Sequence, residues 1–468
     1  MYLILAFQGV VYNMDIKNYR NIYFVGIGGI SMSGLAILLK SKGHEVSGSD
    51  IRESALTDKL KSHGINVHIG HDPSNVKGSD LVVYTAAIKQ DNPELVSAKE
   101  LGIPVMDRAS LMGQVMLRYP KTVAVAGSHG KTTATSLISV VLMRAGLDPT
   151  VLVGGEVDIL GGNVRVGSSQ YMVAESCEYQ DSFLKFHPFI GIVLNMEWDH
   201  VDYFKNMDSI KKSFVNFAKL IPDDGCLIVC GDNSASSLLP YVDCNTLTFG
   251  LQSKNDWKAD NISYNQQGCS SFDVLYKGKK MGNISLAIPG EHNIYNALAA
   301  AATCYSLGIP IDTVEEYIDE FTGTHRRFEI KGQANGATVI DDYGHHPSEI
   351  KATLKAAKNY PHKKIWCVFQ PHTYTRTHAF LNQFAGAFYD ADSVIVTDIY
   401  AAREKDTGLV KSQDLVDKLK SNGVNAVYMS EFSKIVDYLM DNIESGDLVI
   451  TQGAGTITSL GDMLLSRS

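Results

Sequence analysis

The run Gly127-Ser128-His129-Gly130-Lys131-Thr132-Thr133 is the segment of this sequence best equipped for chemistry. Glycines let backbone N–H groups turn inward around phosphate oxygens, Lys131 brings a mobile positive charge, and Thr132 offers a hydroxyl to a magnesium ion. A helix starting here adds a favourable dipole. Together they point to a grip on a nucleoside triphosphate. Only two residues separate the glycines where the general phosphate-loop pattern has four, so the reading rests on the Gly-Lys-Thr core in its strand-loop-helix setting. Magnesium-dependent phosphoryl transfer also needs a carboxylate at a neighbouring strand end. Glu175 closes the run Tyr171-Met172-Val173-Ala174-Glu175, and His200 closes the polar cluster Asn195-Met196-Glu197-Trp198-Asp199-His200. Thr132, Glu175 and His200 are the expected metal ligands.

A second glycine turn, Gly26-Ile27-Gly28-Gly29-Ile30-Ser31, follows a strand-like run and precedes Asp50 at the end of the next one. Its spacing fits a dinucleotide turn in which Ser31 replaces the third glycine. A pyrophosphate near Gly28, Gly29 and Ser31 with a ribose near Asp50 is expected, and NAD and a nucleotide sugar satisfy the pattern equally.

These turns need elements to hold them. Asn21 to Gly26, Glu45 to Ser49, Asn66 to Ile69 and Leu81 to Tyr84 read as strands alternating with helices, the pattern of a parallel sheet with ligands at its carboxyl edge. Thr122 to Ala126 is a short β-branched strand running into Gly127, and Ala134 to Leu142 continues as a helix. A third unit repeats the buried-strand pattern at Thr338 to Ile340, Ile365 to Phe369, Ser393 to Thr397 and Asp447 to Thr451. The fold class expected is therefore α/β. Its units span 1–119, with a leader at 1–20, then 120–327 and 328–468, leaving two clefts between them.

A chain of 468 residues is long enough for two to four domains, and 45% hydrophobic with 20% charged residues excludes disorder, collagen and coiled coil. The 42 basic against 51 acidic residues leave a net charge of −9, the wrong balance for a protein living on nucleic acid. Seven scattered cysteines suit reduced thiols in a cytoplasm. Asn21 to Leu39 and Asn293 to Ile311 are uncharged, but glycines break the first, and the second is Ala-rich and ends at Gly308 and Pro310. No membrane partner is expected. Met1 to Val11 lacks the basic flank of an export signal, and Met14 is a candidate initiator.

Several segments together resemble the Mur ligases, ATP-dependent amide-forming enzymes that build the peptide of peptidoglycan precursors. The carriers are Gly26 to Gly34, Gly127 to Thr133, Ala174 to Tyr179, Asn195 to Phe204 and Gly290 to Ala297, followed by His325 to Glu329, Asp341 to Pro347 and Phe369 to Thr377. The resemblance spans about residues 22 to 460. It implies an N-terminal Rossmann-like unit for a UDP-sugar, a central phosphate-loop ATPase, and a C-terminal Rossmann-like unit closing over both. It implies ATP phosphates at Gly127 to Thr133, with adenine near His292, Asn293 and Asn296 and with Arg327 and Asp342 also at the nucleotide. Tyr343, His345, His346, His372 and Arg376 would surround the phosphoryl centre and incoming amino acid, and Arg108 would join the glycine turn around UDP. The implied reaction joins L-alanine to the lactyl carboxylate of UDP-N-acetylmuramate through an acyl phosphate. Lys131, His200, Arg327 and Arg376 would serve the phosphoryl step, and His346 would orient the amine. A murein tripeptide-recycling ligase and an NAD-dependent oxidoreductase are the alternatives, and a monomer or weak homodimer is expected.

Taken without the resemblance, Asn293 and Asn296 read as caps of an Ala-rich helix, and Arg326 with Arg327 as a solvated pair. Adjacent imidazoles point apart and Pro347 opens a helix, so no separate zinc site is expected at His345 and His346. Lys205, Lys211 and Lys212 do not match the carbamylated lysine of sister ligases.

Overall fold

A computed structural model describes residues 15–467. The apolar segment Met1 to Val11 and Met14 lie outside the described residues. Three sheets succeed one another along the chain. The first holds β1 (Asn21–Val25), β2 (Glu45–Asp50), β3 (Asn66–Ile69), β4 (Leu81–Tyr84) and β5 (Val105–Asp107) in the order β3-β2-β1-β4-β5, all parallel. The run Asn21–Val25 is buried on both faces, which is why it reads as continuously apolar rather than alternating.

The second sheet has ten strands. Its parallel centre is β6 (Lys121–Ala126), β9 (Tyr171–Glu175), β10 (Ile190–Val193), β11 (Cys226–Cys230) and β12 (Asn245–Gly250). The hairpin of β7 (Thr150–Val157) and β8 (Gly162–Arg165) flanks one side. The other carries β13 (Trp257–Tyr264), β14 (Cys269–Tyr276) and β15 (Lys279–Pro289), giving the order β15-β14-β13-β12-β11-β10-β6-β9-β7-β8. Trp257, fully buried, pins the added strands to the core. The helices Lys131–Arg144 and His292–Ser306 pack against each other, and Ala299, Ala300, Ala301 and Ala302 are all buried there, their small side chains allowing close approach.

The third sheet runs β16-β17-β21-β18-β19-β20, from β16 (Glu329–Ala334) and β17 (Ala337–Asp342) through β18 (Ile365–Phe369), β19 (Ser393–Val396) and β20 (Ala426–Tyr428) to β21 (Leu448–Gln452). Only the β16–β17 pair is antiparallel. The chain enters this unit through Arg326 and Phe328, both at positive φ, on either side of Arg327. Asn21 to Leu39 is a strand, a turn and the helix Ile30–Ser41, and among the described residues no helix is long and apolar enough to cross a membrane.

Candidate active site between the three units

The loop after β6 sits where the central sheet can serve it from both sides. β6 pairs with β9 on one flank and β10 on the other, so Glu175 ends one neighbour and Asn195 to His200 leave the other. Gly127 and Gly130 adopt φ of +141° and +82°, conformations open to glycine. At Gly130 a Cβ would also lie 2.7 Å from Asn296 Oδ1. Asn195 braces the loop, accepting from the His129 amide at 2.8 Å and donating to its carbonyl at 3.1 Å. The Lys131 ammonium folds back onto the Gly127 carbonyl at 2.5 Å and Glu178 Oε2 at 3.1 Å. Burial would lower its pKa, but Glu178 foremost outweighs that and holds it above the usual lysine value.

The expected metal ligands line one cavity. The Thr132 hydroxyl donates to Glu175 Oε2 at 3.0 Å, and His200 Nε2 lies 3.8 Å from Glu178 Oε1. His200 sits at φ +51°, a left-handed conformation uncommon for a residue with a side chain. Burial depresses its imidazole below the ordinary value, leaving a neutral ring able to ligate. A hydroxyl, a carboxylate and an imidazole around one phosphate loop fit a hard divalent cation that also takes phosphate oxygens.

Two cavities flank the loop. One of about 320 Å³ is lined by His129, Thr132, His292, Asn293, Asn296 and Arg327, with Asp342 and Glu349 from the third unit. Its polar rim and apolar walls at Leu194, Ile288 and Phe321 suit a nucleoside. Asn293 donates to the Pro289 carbonyl at 2.7 Å and Asn296 to Asn293 Oδ1 at 3.0 Å. They line the cavity instead of capping the helix, whose N-cap position is Glu291. Burial first, then Arg327, lowers the His292 imidazole to about 4.

The other cavity, about 230 Å³, joins Lys131, Thr132, Glu175 and His200 to Tyr343, His345, His372, Arg376 and Arg403. Burial pushes the His345 and His372 imidazoles down to about 3 and about 4, so both are neutral at physiological pH. Arg376 is not free: Asp199 Oδ1 accepts from its Nε at 2.9 Å and lies in an ion pair 2.8 Å from its Nη2, and its Nη1 lies 3.1 Å from His372 Nδ1. Arg326 and Arg327 are not a solvated pair. Both stack on the Tyr343 ring, and Arg326 donates to the Gly453 carbonyl at 2.7 Å.

His346 departs from expectation. It lines neither cavity and is buried at the N-cap of the helix Pro347–Lys358, with its ring 4.9 Å from that of His129. Capping that helix and the docking of the helix against the loop turn the His346 ring toward His129, while His345 faces the phosphoryl cavity.

A third, small cavity of about 70 Å³ leads from Ser31 and Arg108 to Glu175. Gly28, Gly29 and Asp50 do not line it. Asp50 Oδ2 instead accepts from the Gly28 amide at 2.9 Å, securing the glycine turn. Sequence reasoning missed Glu178, Asp199, Glu349 and Arg403, whose significance comes from partners distant along the chain.

Family models for the Mur ligase family catalytic domain, the Mur ligase middle domain and the Mur ligase glutamate ligase domain match residues 21–120, 125–304 and 326–455. The chain belongs to the Mur ligase family. Among its relatives is the UDP-N-acetylmuramate--L-alanine ligase of Caldanaerobacter subterraneus subsp. tengcongensis, 56% identical over 97% of this chain and 99% of the relative. The protein of the same name from Acetivibrio thermocellus is 53% identical over 97% of both chains. The crystal structure of the UDP-N-acetylmuramate-alanine ligase from Thermotoga maritima superposes with a TM-score of 0.82 at 31% identity, covering 96% of this chain and 98% of the other. A murein peptide ligase from Psychrobacter arcticus, 24% identical with a TM-score of 0.73 over 96% and 98% of the two chains, shares the fold.

Proposed function

We propose that this Mur ligase joins L-alanine to the lactyl carboxylate of UDP-N-acetylmuramate, consuming ATP and releasing ADP and phosphate. The observation that carries the reading is the cavity shared by Lys131, Thr132, Glu175 and His200 with Tyr343, His345 and His372, where a phosphate loop from one unit meets neutral imidazoles from another. The names and full-length similarity of its relatives supply the substrates. The murein tripeptide-recycling and NAD-dependent alternatives are not favoured. In this reading residues 1–119 hold the UDP-sugar, 120–327 hold ATP and 328–468 close over the site. Residues Ser31 and Arg108 line the small cavity leading toward Glu175 and thus toward the phosphoryl centre. Seven free cysteines agree with action in a reducing cytoplasm.

A free carboxylate is a poor acyl donor, because its leaving group would be oxide. Lys131 and Arg327 place positive charge beside the γ-phosphate so that the carboxylate can attack it in line, forming an acyl phosphate and ADP. Thr132, Glu175 and His200 would hold magnesium, which supplies further neutralisation of the charge developing on the phosphate oxygens. Positioning and electrostatics carry most of this step, since no protein atom forms a bond. The α-amine of L-alanine, once deprotonated, donates a hydrogen bond to the neutral ring of His345, with His372 beside it, which aims the amine's lone pair at the acyl carbon; the proton it sheds on becoming an amide leaves with the phosphate. Collapse of the tetrahedral intermediate expels phosphate. Acyl phosphates hydrolyse when wet, and the Arg376–Asp199 pair draws the third unit over the loop to exclude water.

The test is to incubate the protein with ATP, magnesium, UDP-N-acetylmuramate and single amino acids, and to weigh the products. L-Alanine should give the amide with stoichiometric ADP. ADP release without an amide, or an amide with a tripeptide and not with L-alanine, would overturn the reading.

A further inference from the structure

At the seam between the phosphate loop and the third unit, three side chains with ligand atoms meet. His129 comes from the loop, Glu197 from the segment after β10, and His346 from the start of the helix Pro347–Lys358. One ligand atom from each lies within 4.8 Å of the others, the one such group of three His, Cys, Asp or Glu side chains found among the described residues. Glu197 Oε2 stands 3.4 Å from His129 Nε2 and 3.7 Å from His346 Nδ1. A tetrahedral centre bonded to nitrogen and oxygen at about 2.0–2.1 Å has edges of about 3.3–3.4 Å, so both distances are close to those of a metal polyhedron.

The surroundings are those of a supported ligand set. Glu349 Oε1 lies 3.3 Å from His129 Nδ1, a carboxylate placed to hold a proton on that nitrogen and turn the Nε2 lone pair toward the cluster. The Ser348 hydroxyl donates to Glu197 Oε2 at 2.5 Å and orients the carboxylate. His129 Nε2 is buried and makes no hydrogen bond, which folded proteins rarely tolerate without a use, and His346 Nδ1 takes only a long 3.3 Å hydrogen bond from the Ser348 amide, which a metal would displace. Two imidazoles and one carboxylate favour a borderline cation of the zinc class over magnesium.

We propose that His129, Glu197 and His346 form a site for a zinc-class divalent cation, separate from Thr132, Glu175 and His200, with its fourth position open toward the nucleoside cavity. His129 and Glu197 both line that cavity, so a ligand in it can complete the coordination. A metal held there ties the phosphate loop directly to the third unit. Zinc would then restrain the movement by which the loop admits and releases nucleotide.

Cobalt(II) tests this, because a tetrahedral cobalt centre absorbs visible light strongly and an octahedral one hardly at all. Cobalt is titrated into the full chain without ATP or magnesium. One equivalent should bind with the intense band; Glu197→Gln and His346→Ala should abolish it, and His200→Ala should retain it. Ser348→Ala, which removes only the support of the carboxylate, should weaken cobalt binding about tenfold, a check independent of any ligand variant that folds poorly. Absence of the band, its persistence in Glu197→Gln, its loss in His200→Ala, or unchanged affinity in Ser348→Ala would each overturn the proposal.

Discussion

The Arg376–Asp199 pair makes closure of the third unit open to measurement. Asp199 Oδ1 receives a hydrogen bond from Arg376 Nε at 2.9 Å and stands in an ion pair 2.8 Å from Nη2, and both side chains are 7% exposed. Burial would raise the Asp199 carboxyl, but Arg376 above all holds it far below the usual range. The two partners belong to different units, so their coupling acts on the arrangement between units rather than on either core. Asp199→Asn keeps an oxygen for the His200 amide, which Asp199 Oδ1 binds at 2.6 Å, but leaves Arg376 buried without its counter-charge. Breaking one side of a buried pair costs about 3–5 kcal/mol. If about 3 kcal/mol of that falls on the closed arrangement, its population drops roughly 100-fold, since about 1.4 kcal/mol is a factor of ten. Phosphate release at saturating substrates should fall by that factor, while calorimetric binding of UDP-N-acetylmuramate stays within about threefold. A variant turning over within about threefold of the parent would refute the clamp.

Lys131→Ala should lower kcat/KM for ATP by roughly 100- to 1000-fold, the usual loss of about 3–4 kcal/mol when a preorganised group opposite developing charge is removed; amide formation at the parent rate would contradict the phosphate-loop assignment. Gly113→Ala tests the contact between the first two units, because an added Cβ would stand 2.0 Å from the Lys185 carbonyl. The helix Arg108–Met116 itself would favour alanine, so a fall of about 1–3 kcal/mol in urea unfolding would report overpacking, and a gain would refute the contact. His129 supplies a pH signature. Burial would lower its imidazole, but Glu349 and Glu197 hold it up to about 10. A raised folded pKa contributes stability that is complete below the unfolded value of about 6.5 and is lost as pH rises through the folded one. Urea midpoints of the parent should therefore fall more steeply between about pH 6.5 and 10 than those of His129→Gln; parallel slopes would count against the ion pairs.

The parallel strands were legible because each is a short apolar run ended by a turn, as in Leu81–Tyr84 and Ile365–Phe369, and burial on both faces demands that composition. The three strands beyond β12 were not. Trp257–Tyr264 and Lys279–Pro289 lie near the sheet margin with one face wet, so polar residues interrupt the signal. The loop glycines and Lys131 were readable because their roles follow from backbone geometry within seven residues. Glu178 on Lys131 and Asp199 on Arg376 were not, being contacts across 47 and 177 positions that only the packed sheets create. His346 shows the limit from the other side. Its helix start was visible in Pro347, but the direction of its ring depends on how that helix docks against His129.

The central claim, that ATP's terminal phosphate is handed to a sugar-borne carboxylate before the amide forms, predicts where the oxygen atoms go. UDP-N-acetylmuramate labelled with heavy oxygen at both carboxylate positions would be turned over with L-alanine and ATP, and the products weighed. One heavy oxygen should appear in each inorganic phosphate and the other remain in the new amide. Unlabelled phosphate accompanying full amide formation would contradict the account.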